Sequence, residues 1–246
     1  MATVGVNDAS LEQRLPFEGR DVQSQGVPHR EQQVLISWVF IFASGSLFLD
    51  FASLQQLSQH GPGGTFAGLC NWFGTVSCLL WLLGFVILVH WLRRVGATAM
   101  GVSGARLKLL AALFFNIQPM TGVAGINNGA GVWWSNLVGI LLFHLGNLVS
   151  CLDFFLHPPP GSDKSHSWLA HGNLPITGMW IYQVATWLLV LGNLLACNWW
   201  AESPTAQWVP TTHWLVVTGQ YAGSLLLLLG SVVYGIWCGA HIFHAS

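Results

Sequence analysis

The chain has 246 residues, of which 53% are hydrophobic and only 7% charged, with a mean hydropathy of +0.55. Soluble domains carry about 25% charged residues, so this composition excludes an ordinary water-soluble globule and points to lipid as the solvent. A net charge of −1 and the lack of a dense basic stripe exclude nucleic acid as a partner.

Residues 1–33 are polar, mixed in charge and free of any apolar run, so they are expected to form a disordered cytosolic tail. They do not read as a cleavable signal peptide, and the first span is expected to serve as its own insertion signal. A membrane helix needs about 20 mostly apolar residues. Segments of this kind cover 34–57, 67–92, 107–126, 133–156, 176–200 and 212–239. The third is the weakest, because Asn116, Gln118 and Pro119 interrupt it. The fourth ends at Pro158-Pro159-Pro160, and the fifth starts after Pro175. Trp133-Trp134, Trp199-Trp200, Trp208 and Trp214 cluster near span ends, where amphipathic rings favour the headgroup zone.

The loops alternate in character. Residues 58–66, 127–132 and 201–211 hold one charge, Glu202, whereas 93–106 and 157–175 hold several. With six spans, Arg14, Arg20, Arg30, Arg93, Arg94, Arg106, Lys108 and Lys164 all fall on one face, with Lys108 flanking the 93–106 loop. The excess of Lys and Arg in cytoplasmic loops makes that face the cytosolic one, with both termini there. A five-span alternative, with the third segment lying on the surface, puts Lys164 outside.

The even spans repeat one pattern, small-x-L-L-x-x-L-G: SCLLWLLG from Ser77, GILLFHLG from Gly139 and GSLLLLLG from Gly223. The small residue and its glycine (Gly84, Gly146 or Gly230) are two helical turns apart and share a face. Gly45 and Gly192 mark related steps in odd spans, GSLF and GNLL. The fold class expected is all-α, a polytopic membrane bundle of six spans built as three two-helix repeats, 34–92, 107–157 and 176–239. Small residues at this spacing let helix backbones approach closely, so the glycines are assigned to packing.

The segments 38–50 (WVFIFASGSLFLD), 71–83 (NWFGTVSCLLWLL), 178–197 (GMWIYQVATWLLVLGNLLAC) and 223–234 (GSLLLLLGSVVY) resemble the YrhK-like domain, a two-helix membrane unit of unknown activity. The chain also looks like multi-repeat integral membrane proteins that string such units together. The second unit departs from the pattern, since its first helix lacks the Gly-small-Leu step. The resemblance implies a fold and carries no catalytic residue.

Chemistry is confined to few positions. Asp50 and Asp153 lie near opposite faces, so they do not form a carboxylate pair. Asn116, Gln118 and Pro119 sit together in the third span, where Pro119 frees backbone groups that need protein or water around them. His144 is the mid-span histidine and lacks a partner at matching depth for a bis-His haem. His157, His166, His171 and Asp163 share a loop without zinc-site spacing, and the five cysteines show no CxxC. Nucleophile, zincin, phosphate-loop and dinucleotide motifs are absent from the sequence, so no enzyme, metal or cofactor is expected. Two functions remain. One is a packing or scaffold protein among other membrane proteins or further copies of the chain. The other is a small transporter or channel whose path passes Asp50, Asn116, Gln118, Pro119 and His144. The scaffold reading expects these polar side chains to pair with neighbours, and the transporter reading expects several of them to line one cavity.

Epitope tags at either end should be reached only after the cell membrane is permeabilised. A terminus labelled from outside contradicts the cytosolic assignment, and termini on opposite faces favour five spans.

Overall fold

The computed structural model describes residues 28–60, 65–123, 129–158, 173–201 and 210–239. These form α1 (Pro28–His60), α2 (Thr65–Arg94), α3 (Ala99–Phe115), α4 (Ile117–Val123), α5 (Gly129–Leu156), α6 (Leu174–Ala201) and α7 (Pro210–Trp237), with no strand among the described residues. Helix α1 starts inside the segment expected as tail. Pro28 occupies its first position, where a missing N–H costs nothing, and residues 1–27 lie outside the described residues. Six stretches are long and apolar enough to cross a membrane, with α3 and α4 together forming the third, Ala99–Thr121.

The third span begins at Ala99, not at 107. Trp91 and Leu92 carbonyls accept from Val95 and Ala97 at 3.0 Å, and Gly96 takes the left-handed conformation (φ 67°) that closes α2. Thr98 then caps α3, its hydroxyl accepting from the Gly101 amide at 2.9 Å. The connection is therefore a tight turn. Glycines and serines that read as loop, Gly101, Ser103 and Gly104, are inside a helix. Lys108, expected beside this loop, is instead well inside the span, and Arg106 is exposed on the same helix.

Each helix packs against its hairpin partner and one further neighbour, and the six spans close into a ring in the order α1, α2, α3, α5, α6, α7. The exterior is apolar at helical spacing: Leu141, Leu145, Leu148 and Leu152 on α5, and Val184, Trp187, Leu191 and Leu194 on α6, are all exposed. The interior holds Ser37, Ser44, Ser77, Asn147, Thr186, Ser224 and Ser231, all nearly or fully buried. These small polar residues lie among a hydrophobic cluster that includes Phe40, Trp81, Phe85 and Phe143. Hydrocarbon gives helices no hydrophobic reason to associate, so they associate through close backbone packing and interhelical hydrogen bonds.

The small residues of the even spans supply that contact in the same way in every hairpin. Ser77 on α2 donates to the Ala43 carbonyl of α1 at 2.9 Å. A methyl group on Gly139 would lie 3.3 Å from the Ala111 carbonyl oxygen, and one on Gly223 would lie 3.1 Å from that of Ala185. Two turns on, a methyl on Gly84 would strike the Phe40 ring at 2.6 Å, and one on Gly146 would strike Lys108 Cγ at 2.7 Å and the Gly104 carbonyl at 2.9 Å. Gly230 faces the Gly178 carbonyl and Tyr182 with slightly more room, 3.4 and 3.5 Å. Gly192 lies opposite Gly219, 3.8 Å from a methyl built there. Gly45 is different, since its nearest neighbour would be Leu228 Cδ1 at 3.9 Å.

Gly146→Ala should lower the melting temperature of the purified protein, a loss of about 1–3 kcal/mol, because its methyl meets backbone that cannot rotate away. Gly45→Ala should leave it unchanged. Equal behaviour of the two variants contradicts the packing described.

Candidate binding site in the bundle interior

The ring holds a partly open cavity of about 50 Å³ to which every span contributes. Phe40 comes from α1, Trp81, Phe85 and Leu88 from α2, and Phe143 from α5. Helices α6 and α7 add Met179, Tyr182 and Tyr234. The aromatic groups form one packed wall: Phe40 meets Trp81 and Phe85 at 5.2 and 4.9 Å, and Phe143 stands edge-on to Trp81 at 5.5 Å. Such tilted and edge contacts fit ring quadrupoles.

Two polar side chains enter this wall, Lys108 from α3 and Asn147 from α5. Lys108 lies nine residues into the span, about 14 Å along the helix at ~1.5 Å per residue, near mid-membrane. It is 5% exposed. Its Nζ donates to Ser150 Oγ at 3.0 Å, and Ser150 in turn donates to the Gly146 carbonyl at 2.9 Å. Among the described residues no carboxylate pairs with it, and the ion pair present there is His157 with Asp153. Asn147 is 1% exposed, and neither its Nδ2 nor its Oδ1 has a partner. Buried polar groups are normally satisfied, and an unpaired cation in a span marks a functional site by default.

The third wall is closed by a saturated network. Ser231 Oγ donates to the Leu227 carbonyl at 2.9 Å and accepts from the Tyr182 hydroxyl at 2.6 Å and from Ser44 at 2.8 Å. It fastens α1, α6 and α7 together beside the cavity and leaves the Tyr182 hydroxyl occupied.

The residues expected to form a polar path are distributed elsewhere. Asn116 is buried, and its Nδ2 donates to the Cys78 carbonyl of α2 at 3.0 Å and to the Ala112 carbonyl at 2.8 Å. Gln118 is exposed and accepts from Asn136 of α5 at 3.0 Å. Pro119 lies in α4, and the Asn116 amide and carbonyl still bond Ala112 and Met120 at 3.2 Å, so the break is a kink tied to both neighbours. Because the span starts at Ala99, this kink is about 26 Å along it, near the far face instead of mid-membrane. His144 sits between α5 and α6, where Gln183 Nε2 donates to its Nδ1 at 3.0 Å and Thr186 Oγ1 lies at 3.2 Å. Asp50 packs on α2 at Gly74, where a methyl would lie 3.1 Å from Oδ2. None of these five residues lines the cavity.

Asp153 is at the terminal face. It accepts from the Thr98 hydroxyl at 2.7 Å and from His157 Nδ1 at 3.1 Å, and a methyl on Gly101 would lie 2.8 Å from its Oδ2. A carboxylate in this position complements the amino-terminal dipole of α3. His166, His171 and Asp163 lie outside the described residues, and no group of three metal-ligating side chains occurs among those described.

An apolar exterior and six spanning helices long and apolar enough to cross a bilayer define a multi-pass membrane protein. Compared with known proteins, the chain matches no family model, no curated protein and no solved structure.

Proposed function

We propose that this is a small-solute carrier or channel whose binding site is the cavity at the centre of the ring. The observation that supports it is Lys108, an intramembrane cation facing a cavity and lacking a carboxylate among the described residues. A protein whose interior served packing alone gains nothing from such a group, because apolar residues of similar volume are as stable or more so. The scaffold reading has its own support, the neighbour bonds of Asn116, Gln118 and His144. Those bonds account for the kinked span and the α5–α6 contact, and they leave Lys108 and Asn147 unexplained. Arg93 and Arg94, exposed at the α2–α3 turn, support a cytosolic terminal face.

We also read the three hairpins as repeats of one unit. In support, Ala43, Ala111 and Ala185 are all fully buried and all meet the small residue of the following helix. Three residues before each alanine stands a cavity residue, Phe40, Lys108 or Tyr182, packed on Gly84, Gly146 or Gly230. The YrhK-like likeness is consistent with such a unit and adds no activity.

In a variant lacking the native cysteines, Met179→Cys should react with a small water-soluble thiosulfonate in the folded protein, because residue 179 lines the cavity. Leu227→Cys, buried outside the cavity, should not react. An unreactive residue 179 means a sealed interior, and the scaffold reading then replaces this one.

A further inference from the structure

We infer that Lys108 and Asn147 bind the carboxylate of a short-chain monocarboxylate, the size of acetate or propionate, with its alkyl end against the aromatic wall. This rests on the reading of the cavity as a solute site and specifies its ligand.

Charge and hydrogen-bond capacity give the head group. With one N–H of Lys108 given to Ser150, its remaining N–H groups and both N–H groups of the Asn147 amide have no acceptor. The site is rich in donors, and Asn147 Oδ1 is an acceptor in it without a partner. An ionised carboxylate is an acceptor-only group with about four lone-pair positions, so it complements this set and supplies the missing counter-charge. A cationic ligand would meet Lys108 directly, and a neutral one would leave its charge uncompensated.

Size and lining give the rest of the molecule. A cavity of ~150 Å³ holds benzene. This one, at about 50 Å³, is a third of that and favours a small acid over an aromatic acid or a long acyl chain. The rest of the lining includes Phe40, Trp81, Phe85 and Phe143, which favour a short alkyl group over a fully hydrated inorganic ion.

The position of the donors within the ring strengthens the assignment. After Gly84 comes Phe85, after Gly230 comes Ser231, and after Gly146 comes Asn147. Phe85 is apolar and Ser231 is saturated by Tyr182, Ser44 and Leu227. The second hairpin places Lys108, with one partner, and Asn147, with none, at its two corresponding positions in the cavity. One ligand head group is thereby directed to one side of the ring, facing α3 and α5.

The test is thermal unfolding of the purified full chain in detergent at constant ionic strength, with sodium propionate, propionamide and sodium chloride as separate additives. Propionate should raise the melting temperature saturably, by about 5 °C at roughly a hundredfold excess over its dissociation constant. Propionamide, matched in shape without charge, and chloride should leave it unchanged. Lys108→Met should abolish the propionate shift, and Asn147→Leu should reduce it at least tenfold in apparent affinity. An equal shift with propionamide, an equal shift with chloride, no shift with propionate, or a full shift retained in Lys108→Met each overturns the proposal, and the wild-type additive comparison does so even if a variant fails to fold. Labelling at residue 179 with no propionate effect leaves the solute site standing and removes this ligand. An unreactive residue 179 removes the site itself.

Discussion

Helices in hydrocarbon gain nothing by hiding apolar surface from one another, so this fold depends on how closely backbones approach where side chains are missing. The approach of α3 to α5 at Gly104 and Gly146 is the contact on which the rest turns. A methyl on Gly104 would lie 3.1 Å from the Gly146 carbonyl, and one on Gly146 would lie 2.9 Å from the Gly104 carbonyl. The two glycines face each other, with Ser150 Oγ and Lys108 Cγ packed against them. That separation lets the Lys108 stem lie on Gly146 and brings Ser150 Oγ within hydrogen-bond range of its amine. A bulkier residue at either position would move Lys108 out of the cavity along with the helix that carries it.

The ring follows from repeating such an approach. Each hairpin closes on a small residue against a buried alanine, and each then turns one side chain inward. Two of these side chains, Phe40 and Tyr182, are ring systems, and the third is Lys108. The interior is therefore aromatic on most sides and cationic on one. Placing an amine there, with one hydrogen-bond partner, is costly unless something completes it. A bound anion would complete it, and Asp153 is engaged with Thr98 and His157 at the terminal face.

Much of the architecture was legible in the sequence because its signals are local. Six apolar stretches, the loop alternation and the two-turn spacing of Ser77–Gly84, Gly139–Gly146 and Gly223–Gly230 are properties of the chain itself. The start of the third span was not legible from hydropathy, because Gly101, Ser103, Gly104 and Arg106 look like loop residues. Thr98 followed by a helix-compatible run is the cap signal that identifies it, and it places Lys108 inside the membrane. The polar residues chosen from sequence were those that interrupt apolar runs. Asn116 does so because it bonds Cys78 and Ala112 at the kink, and His144 because it bonds Gln183. Asn147 was hidden within a glycine motif. Nothing short of the ring shows that it faces the same space as a residue on another helix.

The central claim is that Lys108 faces a solute-accessible cavity with Ser150 as the one partner of its amine among the described residues. Reductive methylation of the intact protein with formaldehyde and a borane reductant, followed by peptide mass spectrometry, tests it directly. The account predicts that Lys108 is dimethylated in the folded protein, and more slowly in the presence of propionate. A Lys108 that stays unmodified until the protein is unfolded, while other amines react, would contradict it.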